Sequence, residues 1–178
     1  AKERFEMVEV EGEEFFDMLL SGYEEPCADK GVSLHIGYDA KQNYLVSVKH
    51  MVRIVDNLMF NAIRHTDKGK NIWLAAIEKG APLPDWVFEP FKDEIDKWRK
   101  EGTIIIIQNE GEGIREEKQK VIFEPFVQGE PARGKGGSSG IGLTVAKMLI
   151  ENHHGKINLW SKDGFGTIVA CLLPERQG

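Results

Sequence analysis

The stretch Arg133 to Leu149, RGKGGSSGIGLTVAKML, has glycine at four of its first eight positions and then enters an amphipathic helical pattern. Unpaired N–H groups and the helix dipole at a helix start favour negative charge, and glycine lets a ligand approach closely. The chemistry suggested is phosphate binding. Gly129, Gly134 and Lys135 have P-loop spacing, but Gly136 stands where a magnesium-binding Ser or Thr is needed. The dinucleotide fingerprint begun by Gly134 and Gly136 would need a third glycine at Ser139, and no strand-like run comes just before it. A flexible linker ahead of an ordinary helix explains the stretch as well as a phosphate loop does.

Three other stretches carry candidates. In HMVRIVDNLMFNAIRHT, a turn of about 100° per residue puts Asn57, Asn61 and Arg64 in one narrow stripe bordering the apolar face. Asparagine is a poor mid-helix residue and a half-buried amide needs partners, so two of them one turn apart suggest a polar ligand or hydrated metal beside the core. The alternative is a solvated face. In NEGEGI, the glycines Gly111 and Gly113 follow a strand directly, which suggests a sharp turn where something flat passes close to backbone, with Asn109 at the strand's end. An ordinary turn reads the same. VIFEPF sets Phe123 and Phe126 around Pro125, as either a latch beside the glycine-rich loop or plain core.

These residues must be held by recognisable elements. RFEMVEV alternates as a strand, and GEEFFDMLLSGYEEPCADKG predicts one helix closed by Gly31, with Pro26 limiting or kinking its last turns. VSLHIGY is a second strand. From about His50 to His65, Met51, Ile54, Val55, Leu58, Met59 and Ala62 recur at helical spacing. NIWLAAIE reads as a buried strand and GTIIIIQ as the clearest strand of all. REEKQKVIF is a short helix and IGLTVAKMLIENHH a longer one; KINLWSK and GTIVACLLP close the chain as strands around a glycine turn. Between NIWLAAIE and GTIIIIQ, the segment KGAPLPDWVFEPFKDEIDKWRKE exceeds a usual connection and carries its own short helix, as a packed insertion or a docking surface. The fold class is α+β, a mixed sheet with helices gathered on one face.

At 178 residues, 41% of them hydrophobic, the chain has material for one core and one domain. The charge balance, 23 − 29 = −6, argues against nucleic acid or an anionic membrane as the main partner. Cys27 and Cys171 are too few for a disulfide framework and are not spaced as metal ligands, which points to a reducing compartment. No apolar run reaches membrane-spanning length, and the charged start does not resemble a signal peptide.

In combination and order, the motifs resemble the ATP-binding catalytic domain of sensor histidine kinases, in the Bergerat-fold ATPase/kinase (GHKL) group shared with gyrase, Hsp90-type chaperones and mismatch-repair ATPases. NLMFNAIRHT resembles the asparagine box, NEGEGI the first glycine box, IFEPF the phenylalanine box, GGSSGIGL the second glycine box, and GFGTIVACLLP the closing Gly-x-Gly-Thr strand. The resemblance spans residues 1–178 as a single domain, apart from an insertion at about 79–102. It implies a two-layer α/β sandwich with a mixed sheet of about five strands and helices packed on one face.

It also implies roles. Asn61 would hold a Mg2+ ion that bridges the triphosphate of ATP, with Asn57 beside it and Arg64 in the place of a phosphate-contacting basic residue. His65 sits where the family has an aromatic or His near the nucleoside. Asn109 would meet the adenine amine above the turn made by Gly111, Gly113 and Ile114. Phe123 and Phe126 would anchor a lid in which Lys135, Gly137, Ser139, Gly140, Ile141 and Gly142 approach the phosphates, while Leu143 and Thr167 complete the site. The family's usual adenine reader is Asp, so Asn109 loses a charged acceptor worth roughly 1 kcal/mol, about ten-fold in affinity. That departure sustains an alternative, a degenerate kinase that binds nucleotide weakly or not at all and acts as an interaction module.

Hydrolytic relatives carry a Glu general base where this chain has Asn57, and an amide cannot accept that proton; the resemblance therefore implies phosphoryl transfer with slow hydrolysis. None of His35, His50, His65, His153 and His154 lies in the family's His-Glu helix motif. The acceptor histidine is then expected on a separate dimerisation/phosphotransfer domain of the same protein, absent from this chain. A response-regulator receiver domain, a homodimeric parent and a cytoplasmic location, either free or as the cytoplasmic part of a membrane-anchored sensor, complete the expectation; neither nucleic acid nor direct membrane contact is expected.

Overall fold

The computed structural model describes residues 6–124 and 143–174. A five-stranded mixed sheet forms its centre, built from β2 (Ser33–Asp39), β4 (Asn71–Ile77), β5 (Gly102–Glu110), β6 (Lys156–Lys162) and β7 (Gly166–Pro174) in the order β2-β4-β5-β7-β6. β2 and β4 run parallel and every other pair is antiparallel. A separate two-stranded sheet pairs β1 (Val8–Glu11) with β3 (Asn43–Val46).

Strand alternation sorts the side chains into two cores. Ile105 and Ile107 of β5, Ile72 and Leu74 of β4, and Val169 and Cys171 of β7 point to one face, where α1 (Gly12–Leu19), α2 (Glu24–Lys30), α3 (Val48–Arg64) and α6 (Leu143–Asn152) pack. This is the expected sandwich. Ile104, Ile106, Ile168 and Ala170 point to the other face, which Val87 and Ile95 of the segment between β4 and β5 cover. Ile95 lies on α4 (Lys92–Glu101), where Trp98 packs edge-on against Trp160 and Glu94 Oε1 accepts from Trp160 Nε1 at 2.6 Å. The segment between β4 and β5 is therefore packed, and β5 is buried on both faces, as its unbroken Ile104–Ile107 run demands.

One predicted element divides. The single helix expected over 12–31 is two, α1 and α2, separated by a turn in which Ser21 Oγ donates to the Met18 carbonyl and Gly22 N donates to Glu24 Oε1. Pro26 falls in the first turn of α2 rather than near a helix end, because first-turn N–H groups have no intrahelical acceptor to lose. Cys27 and Cys171 are both buried and free. Among the described residues no helix is long and apolar enough to cross a membrane.

Candidate functional site

α3 is fixed at both ends. Ser47 caps its start by accepting from His50 N at 3.3 Å, and the Ser47 N–H itself donates to His153 Nε2 at 3.0 Å. At the other end Lys30 Nζ donates to the Ile63 and Arg64 carbonyls, both at 2.8 Å, placing a cation on the negative end of the helix dipole. The last turns of α3 stand over the end of β5, and between them a cavity of about 350 Å³ opens.

Its walls come from separate elements. Leu58 and Ala62 of α3 face Ile107, Leu159 and Val169 of the sheet, giving an apolar slot. Asn61 and His65 of α3, Asn109 and Thr167 of the sheet, and Gly111, Glu112, Gly113 and Ile114 of the turn after β5 supply the polar rim. Arg115 and Lys118, at and within the start of α5 (Glu116–Val121), complete it.

The turn is held by unusually close packing. Ile114 N donates to Ser161 Oγ at 2.7 Å, Ser161 Oγ donates to the Gly166 carbonyl at 3.1 Å, and Ser161 and Thr167 hydroxyls lie 2.8 Å apart. A Cβ on Gly113 would stand 2.9 Å from the Lys162 carbonyl carbon, so glycine is required for this approach. Gly166, at φ 138°, lies so close to the Asn109 carbonyl that any side chain would collide with it.

Asn61 carries the most informative atom. Its Oδ1 is shut off from solvent and accepts no hydrogen bond among the described residues. An orphaned buried acceptor at a cavity wall costs stability and marks a place for a cation or donor. Among the described residues no three His, Cys, Asp or Glu side chains gather to hold a metal, so an ion here would combine Asn61 Oδ1 with oxygens of the ligand and water. Partial desolvation, and then the cations of Arg64, Lys30 and Lys118, push the His65 pKa below the usual histidine value.

The structure thus brings Asn61, His65, Asn109, Gly111, Gly113, Ile114 and Thr167 to one cavity. Asn57 sits half-buried one turn earlier on α3 and Arg64 is exposed; neither lines the cavity. Phe123 packs at the edge of the helix-side core and Leu143 is buried within it. Phe126, Lys135, Gly137, Ser139, Gly140, Ile141 and Gly142 lie outside the described residues. Sequence reasoning missed Arg115 and Lys118, whose spacing of three in REEKQK places both on one helical face.

Comparison with known proteins identifies a family and a fold. The family model described as histidine kinase-, DNA gyrase B-, and HSP90-like ATPase matches residues 47–177. The alginate biosynthesis sensor protein KinB of Pseudomonas aeruginosa is 36% identical over 122 residues, covering 68% of this chain and 17% of KinB. The sensor-like histidine kinase SenX3 of Mycobacterium tuberculosis is 30% identical over 70% of this chain, which spans 26% of SenX3. The chain thus matches about a quarter or less of these relatives' lengths. In fold it is similar to the catalytic domain of histidine kinase ThkA, with TM-score 0.70 and 20% identity over 95% of both chains. A structure of ThkA in complex with the response regulator TrrA matches with TM-score 0.68 and 18% identity, over 97% of this chain and 42% of that one.

Proposed function

The chain belongs to the histidine kinase-, DNA gyrase B- and HSP90-like ATPase family, and from that premise we propose that it is the ATP-binding catalytic domain of a sensor histidine kinase. Residues 1–178 form that one domain, with residues 79–102 as an insertion. It binds Mg-ATP and passes the γ-phosphoryl group to a histidine on a helical dimerisation domain of the same protein, from which a receiver-domain aspartate of a response regulator collects it. The parent is a homodimer with this domain in the cytoplasm.

The observation that carries the reading is the partnerless Asn61 Oδ1 beside an apolar slot closed by a glycine turn. The slot between Leu58, Ala62 and Ile107, Val169 suits a flat base, which Asn109 and Thr167 meet at its polar edge. Asn61 Oδ1 is the residue atom fitted to a magnesium ion; when bound, the ion neutralises charge on the phosphate oxygens. His65, Lys118 and Arg115 line the rim, and the lysine and arginine add positive potential there. Asn57 and Asn61 offer amides, which take no proton from water, so the residues favour positioning for phosphoryl transfer over hydrolysis.

Calorimetry with ADP and magnesium tests binding: saturable heat is expected, and no heat up to millimolar ligand refutes it. For transfer, label from γ-labelled ATP should appear as base-stable, acid-labile phosphohistidine on the helical domain of the parent protein. Steady ATP turnover by the chain alone, without such label, would instead identify a hydrolase.

A further inference from the structure

The inserted segment meets the cavity from behind. Gln108, fully buried, interrupts the aliphatic face formed by Ile104 and Ile106, and its side chain points away from the cavity into the insertion. There Phe88 N donates to Gln108 Oε1 and Gln108 Nε2 donates to the Trp86 carbonyl, both at 3.0 Å. A buried glutamine is costly unless satisfied, and the non-helical backbone at 86–88 needs partners of its own, so the two requirements are met together. The next residue along the strand is Asn109, which by strand alternation faces the cavity.

A second anchor is independent of the first. The Phe88 ring packs against Phe165 at 5.6 Å between centroids, and the Phe165 carbonyl accepts from Gly111 N at 3.3 Å. Phe88 also meets Trp73 edge-on at 6.2 Å, and Trp73 stacks on Trp86 at 5.8 Å. The insertion therefore grips both the end of β5 and the β6–β7 turn on which the glycine turn hangs.

We propose that Phe88 and Gln108 are positioning residues for the base end of the cavity, through which residues 79–102 set the aim of Asn109 and the seat of Gly111; this rests on the nucleotide reading above. The insertion acts on binding through the site's geometry, beyond its share of the core. Trp98 supplies the comparison, because it makes a similarly large aromatic contact within the same insertion, on Trp160, with Lys156 Nζ 5.3 Å above its ring.

The experiment compares the unsubstituted chain with Phe88→Ala, Phe88→Leu and Trp98→Ala, at a temperature where circular dichroism finds all four folded. It follows the amide resonances of Gly111 and the Asn109 side chain by NMR, and ADP affinity by calorimetry. Phe88→Ala should shift both resonances and weaken ADP by about ten-fold, the equivalent of one well-aimed hydrogen bond. Phe88→Leu should recover most of that affinity, and Trp98→Ala should leave resonances and affinity unchanged even where its melting temperature falls as far. Equal effects of Phe88→Ala and Trp98→Ala, or unmoved resonances in Phe88→Ala, overturn the inference alone. Failure of the unsubstituted chain to bind ADP overturns the nucleotide reading and takes this inference with it.

Discussion

Replacing Asn61 by leucine should make the ligand-free chain more stable while abolishing nucleotide binding. The wild-type side chain holds Oδ1 in a solvent-free position without a partner among the described residues, a burden of about 1–3 kcal/mol. Asn61 is only half-buried, so the lower part of that range applies. Leucine adds a few tenths of a kcal/mol in helix propensity, and the cavity alongside has room for its methyl groups. A net gain of about 1–2 kcal/mol follows. Unfolding entropy of about 2.1 cal/mol/K per residue over 178 residues gives about 0.37 kcal/mol/K, so the melting temperature should rise by about 3–5 °C. Differential scanning calorimetry with and without ADP and magnesium measures both effects. The wild type should melt higher with ligand and Asn61→Leu should not respond. A lower ligand-free melting temperature in Asn61→Leu, or a preserved ligand response, would refute the claim that the amide is kept for a ligand at a cost to the fold.

Two further outcomes are expected. Gly113→Ala drives a methyl to 2.9 Å from the Lys162 carbonyl carbon and 3.0 Å from Asp163 N, both backbone atoms that cannot yield locally; the displacement should cost about 1–3 kcal/mol and weaken ADP by at least ten-fold, and wild-type affinity in that variant would contradict the shaping role of the turn. The folded-state pKa of His65 is depressed by burial and neighbouring cations, and that of His153 by burial, partly offset by its bond to the Leu149 carbonyl. The unfolded chain then takes up protons first as pH falls, so stability is fully present above about 6.5 and declines as pH drops through and below that value. Melting curves should move down between about pH 7.5 and 5.5, and a flat profile over that window would contradict an imidazole disfavoured as a cation by burial at His153 and by partial desolvation and neighbouring cations at His65.

Much of the site was legible because its residues lie on elements with strong local periods. The 3.6-residue repeat from Met51 to Ala62 located α3 and put Asn61 at the edge of its buried face, and the Ile104–Ile107 run located β5 and hence Asn109 at its end. Where the local signal was short or mixed, the reading lost detail. Val8–Glu11 was visible as a strand, but its partner Asn43–Val46 is four residues long and stands in a sheet of two, too little alternation to register. Two short helices merged into one because apolar residues continue through Leu20 and Tyr23, which are buried although the helix has ended.

Sequence alone determined the kinds of chemistry available, namely two amides on one helix and glycines after a strand, and the order in which the elements carry them. Which of them meet was settled by the sheet order β2-β4-β5-β7-β6, which sets Thr167 opposite Asn109 and brings Lys118 of α5 to the same cavity rim as His65 of α3. Position along α3 puts Asn61 rather than Asn57 at the cavity, and strand alternation turns Gln108 toward residues 86–88. The reason is physical: side-chain period is a property of neighbouring residues, whereas strand pairing joins residues scores of positions apart through backbone hydrogen bonds that look alike for every sequence.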